Sequence, residues 1–189
     1  MRKQIGDLSG QATSLNNLGV LYQNKHDLQN ALNHFKQSIE IAESIGEKKY
    51  LGVRYGNLAS IYEKRRNFQE ALQIYKKALA LEQSQKNMNG VARQLNNIAG
   101  ILGDLGKYDE CVSNYTEALQ IYESLGLKLG IANTSNNLGV VFYKYKRAYV
   151  KAIEFLEKAL RIYEELNIPN MIFSTRQNLE QIKKSLNQN

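Results

Sequence analysis

Apolar residues recur along this chain at intervals of three and four, and the whole pattern returns every 40 residues. The stretch at residues 15–22 comes back at 55–62, 95–102 and 135–142. Each stretch places its apolar residues on one face of a helix with 3.6 residues per turn. A polar break and a second apolar stripe follow each of them. A fixed period of this size is typical of a solenoid, here with units of helix, turn, helix and loop.

The period divides the chain into four repeats and a partial fifth. The predicted bounds are residues 6–45, 46–85, 86–125 and 126–166, with residues 167–189 as a fifth first helix that caps the array. The fourth repeat carries one extra residue within 144–149. The whole chain is therefore expected to form a single repeat array.

Individual residues mark several helix ends. Asp27 suits the N-cap of a helix, Gly46 suits the left-handed position after a helix, and Pro169 suits a first helical turn. Gly6 aligns with Gly46, so Gly6 is predicted to end an earlier helix. Residues 2–5 are then expected to be the stump of that helix, in a chain cut from a longer array.

Small and aromatic residues also recur at fixed offsets within each unit. Counted from Ala12, the offsets eight, eleven, twenty, twenty-four and twenty-seven hold Gly19, Tyr22, Ala31, Phe35 and Ser38 in the first unit, Ala59, Tyr62, Ala71, Tyr75 and Ala78 in the second, Ala99, Leu102, Cys111, Tyr115 and Ala118 in the third, and Gly139, Phe142, Ala152, Leu156 and Ala159 in the fourth. This pattern resembles the tetratricopeptide repeat. The resemblance implies an all-α fold, a right-handed superhelical α-solenoid.

Two departures from that pattern narrow the resemblance. The period is 40 rather than 34, and the usual proline near position thirty-two is replaced by Glu43, Gln83, Glu123 and Glu164. Both departures are similar to the longer subclass of kinesin light chains, Pins-like adaptors and Rap-type peptide receptors. Those relatives bind extended peptides on a concave face, where asparagines of the first helices hold the peptide backbone. The resemblance therefore implies a non-enzymatic adaptor that binds a protein or an extended peptide.

One asparagine per repeat lies in register, and we name these five residues the ladder positions. They are Asn17, Asn57, Asn97, Asn137 and Asn178. A side-chain amide pairs with the C=O and N–H of a peptide together. Helices stacked roughly 10 Å apart would present one amide to about every third residue of an extended peptide. Alternatively, these asparagines are solvated surface residues or cap neighbouring backbone groups.

Further polar residues share the predicted concave face. They are Asn16, Asn96, Asn136, Arg93, Asn133 and Gln177. Gly100 and Gly103 would open a pocket there for a bulky side chain of the ligand, or they reflect drift in one repeat. Co-chaperones that clamp the acidic tails of heat-shock proteins carry a lysine just before the ladder position. Asparagine or glycine stands at that place in the first four repeats, so this carboxylate clamp is incomplete.

The formal charge of +7 is concentrated in two turns between first and second helices. One turn carries Lys64, Arg65 and Arg66, and the other carries Lys144, Lys146 and Arg147. Turns of this kind emerge along one edge of a solenoid. This basic edge would suit an acidic partner, or nucleic acid through the interleaved Tyr145. The alternative is a set of solvated charges that keep the array in solution.

Neither the composition nor the motifs of the sequence indicate catalysis. The two histidines lack metal-ligand spacing, no phosphate-binding loop or nucleophile motif occurs, and Cys111 occupies a packing position. We expect no enzyme activity, no metal and no cofactor. A single cysteine, and the absence of a signal sequence or an apolar run long enough to span a membrane, favour a cytoplasmic location. A second hypothesis is a structural unit that stacks helices between copies, giving a homo-oligomer.

Overall fold

The structure is a computed structural model that describes residues 2–187, with side chains from residue 7 to residue 186. The described residues form nine α-helices: α1 (Arg2–Asn24), α2 (Leu28–Ser44), α3 (Leu51–Lys64), α4 (Phe68–Ser84), α5 (Met88–Asp104), α6 (Tyr108–Ser124), α7 (Lys128–Lys144), α8 (Tyr149–Glu165) and α9 (Pro169–Asn187). We call the odd-numbered helices first helices and the even-numbered ones second helices. The all-α solenoid fold predicted from the repeat pattern is confirmed. The repeat bounds stay a prediction.

Several helix ends lie where local chemistry places them. The Asp27 carboxylate accepts a hydrogen bond from the backbone N–H of Asn30 at 3.1 Å and so caps α2. Gly46 follows α2 with φ of +67°, a left-handed conformation that glycine adopts without the clash of a Cβ atom. Pro169 begins α9, where its missing N–H would have had no helical partner.

The prediction that a helix ends at Gly6 is wrong. Helix α1 runs without a break from Arg2 to Asn24. A glycine stops a helix when it takes the left-handed conformation, as Gly46, Gly106 and Gly126 do. In a right-handed helix a glycine instead costs about 1 kcal/mol relative to alanine, which the length of α1 tolerates.

Small residues at the repeated offsets let helices within a pair approach closely. Ala31, Ala71, Cys111 and Ala152 are fully buried on the second helices. On α1, a Cβ atom added to Gly19 would lie only 2.5 Å from the ring of Phe35 on α2. The recurrent glycine and alanine positions therefore make the helix contacts that define the repeat.

Two compact units divide the chain, and the division falls within α5, after Gln94. In the first unit, a core around Phe35, Ile39, Leu58 and Ile61 joins α1, α2, α3 and α4. In the second unit, Leu156, Leu179 and Ile182 join α8 to α9, and Ala132 and Tyr163 lie in a further cluster. Within residues 2–187, no helix combines the length and the apolar character needed to cross a lipid bilayer.

Candidate functional site

The three ladder asparagines of the second unit have free side chains. Asn97, Asn137 and Asn178 are all partly exposed on the first helices α5, α7 and α9. None of the three amides forms a hydrogen bond to another described residue. Each amide therefore keeps its two N–H donors and its carbonyl acceptor available to a ligand.

The asparagines that precede two of these ladder residues have a different role. The Thr134 hydroxyl of α7 donates to Asn96 Oδ1 of α5 at 3.0 Å, and the Thr175 hydroxyl of α9 donates to Asn136 Oδ1 of α7 at 3.2 Å. These bonds join consecutive first helices. Asn137 and Asn178 lie one helical turn after the two threonines, so each ladder residue borders the line where two first helices meet. We call this line the seam.

In the first unit the ladder asparagine itself crosses the seam. The Asn57 amide donates from Nδ2 to Asn16 Oδ1 at 3.0 Å, which ties α3 to α1. Asn17 on α1 is exposed and has no hydrogen bond to a described residue. Asn57 and Asn16 therefore have a structural role, because they bond to each other. Asn17 instead has a free amide, like the ladder residues of the second unit.

A polar residue also lies three positions before each ladder asparagine, and it was not among the predicted site residues. We name these residues the seam positions. They are Ser14, Arg54, Gln94, Thr134 and Thr175. All except Ser14 are buried, at 2% exposure or less. The signal was present in the sequence, because every repeat carries a polar residue at this position. It was missed because buried polar residues are uncommon in helix cores.

Arg54 and Gln94 show how differently the seam positions are satisfied. The Arg54 guanidinium forms a salt bridge with Glu47 Oε1 at 3.1 Å and donates to the Thr13 hydroxyl at 3.3 Å. Both polar atoms of the Gln94 amide are buried without a hydrogen-bond partner. The residue against the Gln94 amide is Gly56, where a Cβ atom would lie 2.9 Å from Gln94 Nε2.

Two other predicted ligand-binding residues have intramolecular partners. Arg93 forms a salt bridge at 3.3 Å with Glu82, which is almost fully buried. Asn133 Oδ1 accepts a hydrogen bond from the Tyr163 hydroxyl at 2.8 Å. Burial raises the pKa of the Tyr163 hydroxyl to about 12, so it stays a donor at neutral pH. Gln177 is exposed and has no partner among the described residues, which leaves it available.

The predicted pocket at Gly100 and Gly103 stays a prediction. A Cβ atom at Gly100 would lie 3.5 Å from the Tyr115 hydroxyl, and one at Gly103 would lie 3.5 Å from Cys111 Sγ. Both distances are ordinary van der Waals contacts. An alanine would therefore fit at either position, and the pocket needs a test by ligand binding.

The two basic turns lie in different units and have different surroundings. In the first unit, Arg65 donates to Gln29 Oε1 at 2.8 Å, and the guanidinium of Arg66 lies 5.9 Å from the ring centre of Phe68. In the second unit, Lys146 forms a salt bridge with Asp109. Their arrangement along one shared edge remains a prediction from the repeat pattern.

The single cysteine and the possible metal ligands are the groups to compare with the requirements of a nucleophile and of a metal site. Burial raises the pKa of the Cys111 thiol to about 11, so the thiolate that a nucleophile requires is scarce at neutral pH. Within the described part of the chain, no group of three or more His, Cys, Asp or Glu side chains is arranged to hold a metal ion.

Comparison with known proteins identifies the repeat. The family model described as the tetratricopeptide repeat matches residues 10–84 and 91–165, which together make up most of the chain. No curated protein sequence matches the chain at a significant level.

Solved structures share the fold at low sequence identity. BtubC (BKLC) from P. vanneervenii is 23% identical with a TM-score of 0.80, over 98% of this chain and 84% of BtubC. The apo form of RapI is 17% identical with a TM-score of 0.76, over 90% of this chain and 47% of RapI. A Podosopora anserina protein with nearly identical TPR-like repeats, assigned to the kinesin light chains, is 16% identical with a TM-score of 0.76, over 95% of this chain and 89% of that protein. At these identities the likeness establishes the fold alone.

Proposed function

This chain belongs to the tetratricopeptide repeat family, and we propose that it is a non-enzymatic module that binds an extended segment of a partner protein on its first helices. Proteins of this family are generally not enzymes and typically act in protein–protein interaction. The observation that carries the proposal is the set of unpaired amides at Asn97, Asn137 and Asn178.

The second unit supplies the backbone contacts in this proposal. An extended peptide advances about 3.3 Å per residue, so amides on helices roughly 10 Å apart meet every third residue. Each amide accepts from a peptide N–H and donates to a peptide C=O. Because such bonds contribute on the order of 1 kcal/mol each, the ladder provides generic affinity for peptide backbone. The side chains beside the ladder, Gln177 among them, then provide the choice of sequence.

The first unit contributes less to backbone binding. The Asn57 amide has already given one donor to Asn16, at 3.0 Å. Asn17 is then the one ladder residue of the first unit whose amide is free. We therefore place the strongest contacts at the two ladder residues that border the threonine-bonded seams, Asn137 and Asn178, together with Asn97.

The test replaces two ladder residues and measures affinity for peptides selected from a random display library with the unaltered protein. Asn97→Ala combined with Asn137→Ala is expected to weaken binding about thirty-fold, because two lost contacts remove about 2 kcal/mol. Fluorescence polarisation of labelled peptides gives the affinity. Circular dichroism and the melting temperature are expected to stay nearly unchanged, since neither amide has an intramolecular partner among the described residues.

A matched control removes two asparagines from second helices, the exposed Asn33 and the partly exposed Asn114, as Asn33→Ala with Asn114→Ala. Their side chains form only local bonds within α2 and α6, to Gln29 and to the backbone of Glu110. Binding by this control is expected to equal that of the unaltered protein. If the ladder variant also binds every selected peptide with unaltered affinity, the ladder proposal is wrong.

A second candidate function, assembly between copies, is favoured by an apolar face on α1. Leu18 and Leu21 are 41% and 47% exposed, whereas the corresponding Leu58 and Ile61 of α3 are 7% and 0% exposed. A second copy that covers this face would bury Leu18 and Leu21 to the extent that Leu58 and Ile61 are buried on α3. Light scattering over a range of concentrations is then expected to show association that Leu18→Ser with Leu21→Ser abolishes. A strict monomer at all concentrations rules this function out.

A further inference from the structure

An open pocket of about 730 Å³ lies beside the turn between α7 and α8, within the second unit. Its apolar lining includes Val112, Phe142, Val150 and Leu186, which come from four different helices. Val150 is 67% exposed, and Leu186 is 40% exposed. Apolar side chains at the surface of a concavity of this size are characteristic of a binding site.

The turn beside this pocket is longer than the other turns within helix pairs. Four residues, 145–148, separate α7 from α8, whereas three separate α1 from α2, α3 from α4 and α5 from α6. The inserted residue belongs to the turn that carries Lys146 and Arg147, and both side chains line the pocket. The insertion and the pocket therefore occur at the same place in the second unit.

Positive charge exceeds negative charge around the pocket. Of its charged lining residues, Lys146 is paired with Asp109, while Arg147 and Lys151 form no ion pair with a described carboxylate. Arg147 also borders an adjoining hollow of about 420 Å³, where Lys144 adds a further unpaired cation. A ligand that spans both concavities would gain from carrying negative charge.

The aromatic side chains of the turn and of the neighbouring helices favour a protein ligand over a nucleic acid. The Tyr145 ring stacks on Tyr108 at a centroid distance of 4.2 Å, and the Phe142 ring stacks on Phe155 at 5.6 Å. One face of each ring is thereby covered, which reduces the surface open to stacking by bases. The remaining lining, with Val112 and Val150, suits an aliphatic or aromatic side chain.

We propose that this pocket binds an acidic segment of a partner protein, which inserts one apolar side chain beside Val112 and Val150 and places carboxylates against Arg147 and Lys151. The site uses different side chains from the ladder. The pocket proposal and the ladder proposal can therefore fail independently of each other.

The test measures binding of short fluorescein-labelled peptides by fluorescence polarisation. The probes are peptides of alternating glutamate and leucine, glutamate and phenylalanine, glutamate and serine, and lysine and leucine. We expect one or both of the acidic apolar peptides to bind at least about tenfold more tightly than the other two, because only they satisfy both the charge and the apolar lining.

Two variants identify the site. Arg147→Glu with Lys151→Glu is expected to weaken that binding at least about tenfold, and Val150→Ser about threefold, since the first reverses charge and the second removes apolar contact. The matched control, Lys64→Glu with Arg66→Glu, makes the same charge change in the basic turn of the first unit. It is expected to change the affinity less than about twofold at physiological salt.

Three results would overturn the proposal. These are the absence of binding by either acidic apolar peptide, equal binding of the glutamate–serine peptide, and an equal loss of affinity in the control variant. A labelled oligothymidylate completes the set of probes. If it binds more tightly than the acidic apolar peptides and loses affinity in Arg147→Glu with Lys151→Glu, the turn is a nucleic-acid site instead.

Discussion

The two units join their first helices with different chemistry at the same positions. In the second unit, Thr134 and Thr175 are short, so each hydroxyl bonds only to the asparagine directly across the seam, at 3.0 and 3.2 Å. In the first unit, the long Arg54 side chain reaches beyond that asparagine to Thr13 and Glu47. Asn16 is then left to accept from the ladder residue Asn57.

This difference shows that the seam position determines what its ladder asparagine can do. A threonine donates to the asparagine that precedes the ladder position of the previous repeat and leaves its own ladder amide free, as at Asn137 and Asn178. An arginine leaves that residue without a partner, so the next ladder amide bonds to it, as Asn57 does to Asn16. Asparagines in register are therefore equivalent in sequence but not in availability to a ligand.

The largest expected effect on stability comes from Glu47→Ala, which breaks the salt bridge of the seam residue Arg54. We call this salt bridge the charged seam. The Arg54 side chain is 2% exposed and would lose its ion-pair partner, leaving a buried charge uncompensated. Such a loss costs about 3–5 kcal/mol in the free energy of unfolding. Urea denaturation followed by circular dichroism measures it.

Two further variants show whether the loss at Glu47 is due to the charge. Glu47→Ala combined with Arg54→Met is expected to recover most of the stability, because it removes both charges of the pair. Glu165→Ala breaks an exposed salt bridge to Lys128 in the second unit and is expected to cost less than about 1 kcal/mol. If Glu47→Ala costs no more than Glu165→Ala, the charged seam does not hold the first unit together.

Most of the fold was predictable because its determinants are local and repeated. Asp27, Gly46 and Pro169 act within one turn of a helix end, so their neighbours in sequence are sufficient to interpret them. Gly6 shows the limit of alignment. It matches Gly46 in the repeat pattern but lies inside α1, because a glycine is compatible with either conformation.

The candidate sites were only partly predictable because they depend on contacts between distant residues. The register of Asn57 and Asn137 is visible in the sequence, but the bond that occupies Asn57 depends on Arg54 and on a residue 41 positions earlier. The pocket beside the α7–α8 turn likewise combines the inserted basic residues with Val112 and Leu186, which are distant in sequence. The basic cluster was apparent beforehand, and its concavity was not.

A smaller effect on stability, of opposite sign, is expected at Gln94. This buried seam position has neither the hydroxyl bond of a threonine nor the ion pair of an arginine. Gln94 is fully buried and faces Gly56, which has no side chain to bond to it, so both polar atoms of its amide lack a partner. Methionine has a similar length without the polar atoms. Gln94→Met is therefore expected to raise the free energy of unfolding by about 1 kcal/mol, since a buried unsatisfied group costs about 1–3 kcal/mol. The exposed Gln181→Met serves as the control, with an expected change within about 0.5 kcal/mol. A loss of stability in Gln94→Met would mean that the Gln94 amide is hydrogen-bonded in solution.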